Sequence, residues 1–177
     1  MRIHTSDAGC TLLAIDPGNT ASGWVLIDVA TRRPLEHGKT PNDELLERID
    51  WGLGEAGTTA VEMVASYGMA VGAEVFETCV WIGRFTEAIR RYRFDLQAPR
   101  LVYRRDIKLH HCASARANDS NIRQALVDRF APGQPNHGKG TKTQPGWFWG
   151  FHADIWQAYA LGVYAADTLH AAQEASA

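Results

Sequence analysis

The sequence predicts one α/β domain built on a mixed five-stranded sheet flanked by helices. Three features predict it: three short β-rich runs follow one another early in the chain, two more are separated by helical segments, and no linker or internal repeat divides the whole. At 177 residues and 45% hydrophobic composition the chain suffices for one well-packed core and is short for two, so residues 1–177 are expected to form a single domain with a core over about 11–172.

Residues 11–15 (TLLAI) form an apolar run halted by Asp16-Pro17-Gly18, the pattern of a buried strand ending in a turn. Residues 23–29 (GWVLIDV) and 34–39 follow across short links and continue an antiparallel meander. Leu45, Leu46, Ile49 and Leu53 recur at helical spacing over 43–53, with Asn42 or Asp43 as the cap. Residues 58–64 (TTAVEMV) are β-rich and short. Over 72–92 the apolar residues Val75, Phe76, Cys79, Val80, Ile82, Phe85, Ile89 and Tyr92 wrap wider than one face of a surface helix, which predicts cover on two sides. Residues 100–103 (RLVY) read as a fifth strand; the basic connector RRDIKLHHCASARA then leads to a helix capped by Asn118, Asp119 or Ser120 and ending at Phe130. Residues 132–150 are rich in Gly, Pro and Lys without periodicity and predict a long loop, and a last helix spans 152–172.

The N-terminal MRIHTSDAGC is polar, and no apolar run approaches the roughly 18 residues of a membrane span, so a soluble, cytoplasmic protein is expected. Cys10, Cys79 and Cys112 are odd in number and lack CxxC spacing, which predicts reduced thiols rather than disulfides or structural zinc. The formal net charge is −2, yet residues 84–129 carry 11 Lys and Arg against 5 Asp and Glu, a balance of 11 − 5 = +6. Phosphate contacts are local, so this stretch is the candidate nucleic-acid surface.

Three acids lie inside apolar elements: Asp16 at a strand end, Glu62 as the only charge in its strand, and Asp154 at a helix start. A buried carboxylate is costly unless paired or bound to a metal. If the first and fourth strands are neighbours and the last helix packs on them, the three converge, and a hard divalent cation such as magnesium or manganese is the partner that relieves their repulsion. Two such ions about 3.5–4 Å apart can activate water and stabilise a leaving oxygen in phosphodiester hydrolysis. Each acid also has a plainer role: Asp16 as a turn cap, Glu62 as a solvent-facing edge charge, Asp154 as a helix N-cap.

From 12 to about 165 the chain resembles the RuvC family of Holliday-junction resolvases, within the ribonuclease H-like superfamily. LLAIDPGNTASGWVLID is similar to that family's first strand, turn and second strand; VEMV to its fourth strand; VYRRDIKLHHCASARANDSNIRQALVDRF to its strand, basic connector and helix; and DIWQAYALGVY to its final helix. The resemblance implies a ribonuclease H-like sheet of three antiparallel strands with parallel additions, and cleavage of four-way junctions with Mg2+ or Mn2+, two ions per site. It also implies a homodimer through the 72–92 helix and catalytic, metal-binding roles for Asp16, Glu62 and Asp154. A second acid three residues into the last helix is replaced by Gln157, and His152 is the candidate to compensate as ligand or proton carrier. Arg104, Arg105, Lys108 and Arg116 fall in the region that holds phosphates, with Lys139 and Lys142 in the loop as further DNA-binding candidates, while Asp119 stands where many relatives carry lysine. Trp147, Phe148 and Trp149 either stack on bases or pin the loop to the core. GKGTKTQPGWFWGFHADIWQA is similar to a branch among bacteriophage-encoded relatives, which implies a viral source in a bacterial host.

Two other functions remain open: a broader nuclease for flaps and forks, and a non-cleaving DNA-binding protein of the same fold, the latter suggested by Gln157. The turn IDPGNTASG also partly mimics that of actin-like and sugar-kinase-like ATPases, whose architecture needs two such domains.

Overall fold

The computed structural model describes residues 11–53, 56–66, 68, 70–92 and 98–174. Along the chain run β1 (Thr11–Asp16), β2 (Ala21–Asp28), β3 (Pro34–Pro41), α1 (Asn42–Asp50), β4 (Thr58–Met63), α2 (Ala73–Tyr92), β5 (Arg100–Tyr103), α3 (Arg104–Cys112), α4 (Asp119–Phe130) and α5 (Ala153–Glu174). They build a sheet of order β3-β2-β1-β4-β5. β1, β2 and β3 pair antiparallel, and β4 and β5 extend the sheet in parallel from β1. This is the mixed five-stranded sheet that the succession of elements predicts.

Side-chain alternation along the strands divides the core in two. Leu12, Ala14, Val25, Ile27, Ala60 and Val102 face α5, whereas Leu13, Ile15, Trp24 and Val61 face Leu45 and Ile49 of α1 and Ile82, Phe85 and Ile89 of α2. Each fully buried Leu or Ile contributes about 1.5–3 kcal/mol, so both faces hold the sheet. α5 is apolar all round because it is enclosed, by the sheet on one side and by α3 and α4 on the other. A Cβ on Gly162 would lie 3.3 Å from that of Ala14, a measure of how closely helix and sheet approach.

A charge cluster around Asp167 fixes the far end of α5. Asp167 accepts from Arg32, Arg129 and His110, and these donors hold its carboxyl well below the usual range despite burial. The Tyr159 hydroxyl donates to the Arg32 carbonyl (2.9 Å) and accepts from Trp147 Nε1 (2.9 Å), which ties the 132–150 loop to the same point.

Two expectations, on the connector after β5 and on the α1 cap, are corrected, and that of a long loop over 132–150 is met. The basic connector after β5 begins as a helix, α3, whose only buried residue is Ile107, so its apolar stripe is too thin to reveal it. The segment 132–150 is the long loop expected; it holds a 3-10 turn at Asn136–Gly138 and a bridge from Gly140 to Pro145, and its Phe148 is fully buried. Gly138 permits this through φ +75, and a Cβ there would stand 2.5 Å from that of Ala131. The start of α1 has no side-chain cap, because the Asn42 amide is engaged elsewhere.

Asn118 does cap α4, in a reciprocal box with Asn121. Cys79 and Cys112 are free thiols; Cys10 lies outside the described residues. Among the described residues no helix is long and apolar enough to cross a membrane.

His111 yields a pH test. Burial lowers its pKa to about 4, and one ring nitrogen lies 2.9 Å from the Ala160 carbonyl, so the neutral ring donates there. The unfolded chain takes up this proton below about pH 6.5 and the folded chain does not, so stability is complete above that pH and falls as the pH drops toward 4. Denaturant titrations should show the protein losing on the order of 3 kcal/mol over that interval relative to His111→Gln; parallel pH profiles for the two would refute the assignment.

Candidate functional site

Asp16 ends β1, and the parallel register that sets Ile15 beside Val61 brings Glu62 alongside it one step further on. Both continue the side-chain parity of Leu12, Ala14 and Ala60, so both project toward α5. β4 lies inside the sheet between β1 and β5, and the Glu62 side chain is only 13% exposed, which excludes the solvent-facing edge role. Asp154 follows Ala153, the first helical residue of α5, so it belongs to the first turn and is not the N-cap.

The third acid reaches the other two because β2 carries no side chain at the crossing. Gly23 pairs with Asp16 across the β1–β2 ladder. A Cβ on it would lie 2.5 Å from the Asp154 carbonyl oxygen and 2.9 Å from the Asp154 Cβ. The helix therefore descends onto the strand, and Asp16 and Asp154 line one cleft of 280 Å³ with the 17–21 turn and Lys39.

That turn holds itself without Asp16. Ser22 Oγ donates to Asn42 Oδ1 (2.6 Å), Asn42 Nδ2 donates to the Gly18 carbonyl (2.9 Å), and Gly18 N–H donates to Ser22 Oγ (3.3 Å). The turn-capping role thus belongs to Ser22 and Asn42. Among the described residues the Asp16 carboxylate takes part in no hydrogen bond or ion pair. Burial foremost, then the charge of Glu62, push its pKa well above the ordinary value; Asp154 and Asp119 add to this and Arg104 opposes it. Burial raises Glu62 as well, against the pull of Arg104.

Cationic side chains engage the remaining acids. Arg104, at the start of α3, donates to Glu62 Oε2 (3.3 Å), Asp119 Oδ1 (2.5 Å) and Gln157 Oε1. Lys39 on the edge strand β3 pairs with Asp154 Oδ2 at 2.5 Å. Among the described residues no three His, Cys, Asp or Glu side chains are gathered closely enough to ligate one ion. The carboxylates lie at one corner, but the expected convergence on one point is not reached: among the described residues they do not close around a common position. Their chemistry nonetheless fits a hard divalent cation: oxygen donors on rigid elements, with one desolvated carboxylate that has no hydrogen-bond or ion-pair partner among the described residues.

The other expected site residues are distributed as follows. Gln157 faces the corner and accepts from Arg104. His152 is exposed just before α5 and, among the described residues, makes no hydrogen bond or ion pair with the acids; burial foremost, and then His152, lowers the pKa of His37 on β3. Arg104, Arg105 and Lys108 line a hollow of 490 Å³ with Ala115, and Arg116 is exposed beyond α3. Lys142 is exposed in the 132–150 segment, whereas Lys139 is half-buried behind the 3-10 turn. Trp147 is a pin: its ring stacks on Phe130 with centroids 5.4 Å apart and its N–H is taken by Tyr159. Phe148 is buried as well, and Trp149, 43% exposed, is the aromatic that this segment leaves at the surface.

Lys39 escaped the sequence reading. It lies on β3, seven elements before the α5 that carries Asp154, and only the sheet order and the close approach at Gly23 unite them.

Replacing Gly23 by Ala should force the first turn of α5 off the sheet. Melting and denaturant curves should show a loss of about 1–3 kcal/mol, whereas Gly83→Ala on α2, where a Cβ meets nothing within 4 Å, should leave stability unchanged or higher. Equal behaviour of the two variants would contradict the close contact.

Solved structures with this architecture exist. Thermus thermophilus RuvC in complex with a Holliday junction substrate superposes with a TM-score of 0.60 at 17% identity, over 92% of this chain and 96% of that one. A further Thermus thermophilus RuvC structure gives a TM-score of 0.59 at 17% identity, over 91% and 96%. The fold is therefore ribonuclease H-like, of the RuvC type. No family model matches the chain, and no curated protein matches its sequence.

Proposed function

We propose that this protein is a divalent-cation-dependent endonuclease that cuts branched DNA, four-way junctions foremost. The observation that carries the reading is the corner itself: Asp16 and Glu62 side by side at the carboxyl ends of β1 and β4, Asp154 in the same cleft as Asp16, and the Arg104, Arg105 and Lys108 hollow beside them. The likeness to a protein solved on a Holliday junction supports the choice of substrate.

In this reading Asp16, Glu62 and Asp154 would hold Mg2+ or Mn2+, two ions per site, which would supply an activated water and charge stabilisation at the scissile phosphate. The chain's own residues bind and orient. Arg105, Lys108 and Arg116 grip backbone phosphates, with Lys142 reaching from the far loop. The sheet and α5 keep the carboxylates from drifting, which an in-line displacement demands. Gln157 accepts a hydrogen bond from Arg104 and is not assigned to the metal, and His152 is assigned no step.

A four-way junction needs two symmetric incisions, so the active species is a homodimer through α2. Phe76 and Val80 on that helix are 62% and 61% exposed, one turn apart, on the face opposite Ile82, Phe85 and Ile89.

A non-cleaving DNA-binding protein of the same fold is the second reading, favoured by the pairing of Arg104 and Lys39 with two of the acids. Assays on four-way, three-way, flap and linear DNA with Mg2+ or Mn2+ separate the readings. Asp16→Asn should abolish cutting, a drop of at least about 100-fold, while junction binding in Ca2+ persists; cutting at an undiminished rate would exclude the site.

Substituting Arg105 or Lys108 by Gln should weaken binding to every DNA shape alike and reduce the slope of log affinity against log salt by about one per contact. A loss confined to one substrate shape would contradict the phosphate-gripping role.

A further inference from the structure

Arg104 stands between two environments. Its guanidinium joins Glu62, Asp119 and Gln157, and its side chain also walls the 490 Å³ hollow with Arg105 and Lys108. Lys39 has the same double position on the other side of the corner: it pairs with Asp154 and lines the cleft that contains Asp16. Both side chains therefore touch the acids and border the surfaces where a nucleic-acid backbone would lie.

Charge balance explains why they sit there. Asp16 and Glu62 are largely desolvated; Glu62, Asp154 and Asp119 act on Asp16, and Asp119 acts on Glu62. Without a bound cation, an internal positive charge offsets that repulsion, alongside the protonation that the raised pKa values of Asp16 and Glu62 favour. A divalent ion and these two cations cannot share the same carboxylate oxygens. A guanidinium suits exchange, because its planar fork pairs with a phosphate as readily as with a carboxylate.

We infer that Arg104 and Lys39 are exchangeable counter-ions: they neutralise Glu62 and Asp154 in the free protein, and the phosphates of bound DNA draw them away and open the acids to a divalent cation. The inference rests on the cation-site reading above and adds an order to it, DNA before metal. By linkage, DNA strengthens cation binding by the same factor as the cation strengthens DNA binding. Asp119 is the anchor that keeps Arg104 at the corner, and with Gln157 it occupies the two positions where the chain departs from the resembled pattern.

Calorimetric titration of Mn2+ into the full chain without DNA provides the test. Arg104→Gln and Lys39→Met should each bind Mn2+ about tenfold more tightly than the unaltered protein, and Glu62→Gln should abolish binding. Lys39 serves as the second variant because it is half exposed on an edge strand, and its loss leaves α3 untouched. Addition of a four-way junction in Ca2+ should tighten cation binding to the unaltered protein more than to Arg104→Gln. If both variants bind Mn2+ no better than the unaltered protein, or worse, the counter-ion role is overturned. If no form binds a cation with or without DNA, the inference and the nuclease reading both fall. If the variants bind more tightly but no form cuts DNA, the counter-ion role stands and only the nuclease reading falls.

Discussion

The organising constraint in this molecule is uncompensated negative charge at the edge of a dry core. Asp16 and Glu62 emerge from adjacent central strands on the face that α5 covers, where desolvation penalises their ionised forms. Such a corner is stable only if positive charge enters it. The positions of Arg104 and Lys39 follow from that requirement, while among the described residues Asp16 keeps a carboxylate without hydrogen bond or ion pair.

The rest of the fold keeps those groups from relaxing apart. Two close approaches at glycine set α5 on the sheet: Gly23 under its first turn and Gly162 against Ala14 further along. At its other end the Asp167 cluster ties α5 to Arg32 after β2, to His110 of α3 and to Arg129 of α4. The 17–21 turn is held by Ser22 and Asn42, so Asp16 is not consumed in maintaining its own turn. A carboxylate relieved of structural duty on a rigid strand end is what a ligand-binding corner requires.

The 132–150 segment shows how a stretch without periodicity becomes ordered. Its anchors are local: Phe148 enters the core, and Trp147 bridges Phe130 and Tyr159. Gly138 and Gly140, both at positive φ, supply the turns between them. The aromatic run read equally well as a base-stacking surface or as a pin, because composition does not tell which ring faces inward. The fold divides the roles, with Trp147 and Phe148 packed and Trp149 at the surface.

Strands and helices with clear periodicity were legible to within a few residues, because alternation and 3.6-residue spacing record which faces are buried. α3 was not legible as a helix, since it buries only Ile107 and the signal is burial. Charged residues within apolar runs marked Asp16 and Glu62, because nothing but a site or a partner makes that placement tolerable.

The sequence by itself therefore determined the element order, the mixed sheet and the candidate acids, all of which follow from local patterns of hydrophobicity and charge. Only the tertiary structure decided their partners. Lys39 meets Asp154, and Arg104 reaches Glu62, Asp119 and Gln157, through strand order and the close passage at Gly23. Those contacts join residues far apart in the chain, and long-range pairing of polar groups leaves no periodic trace in the sequence.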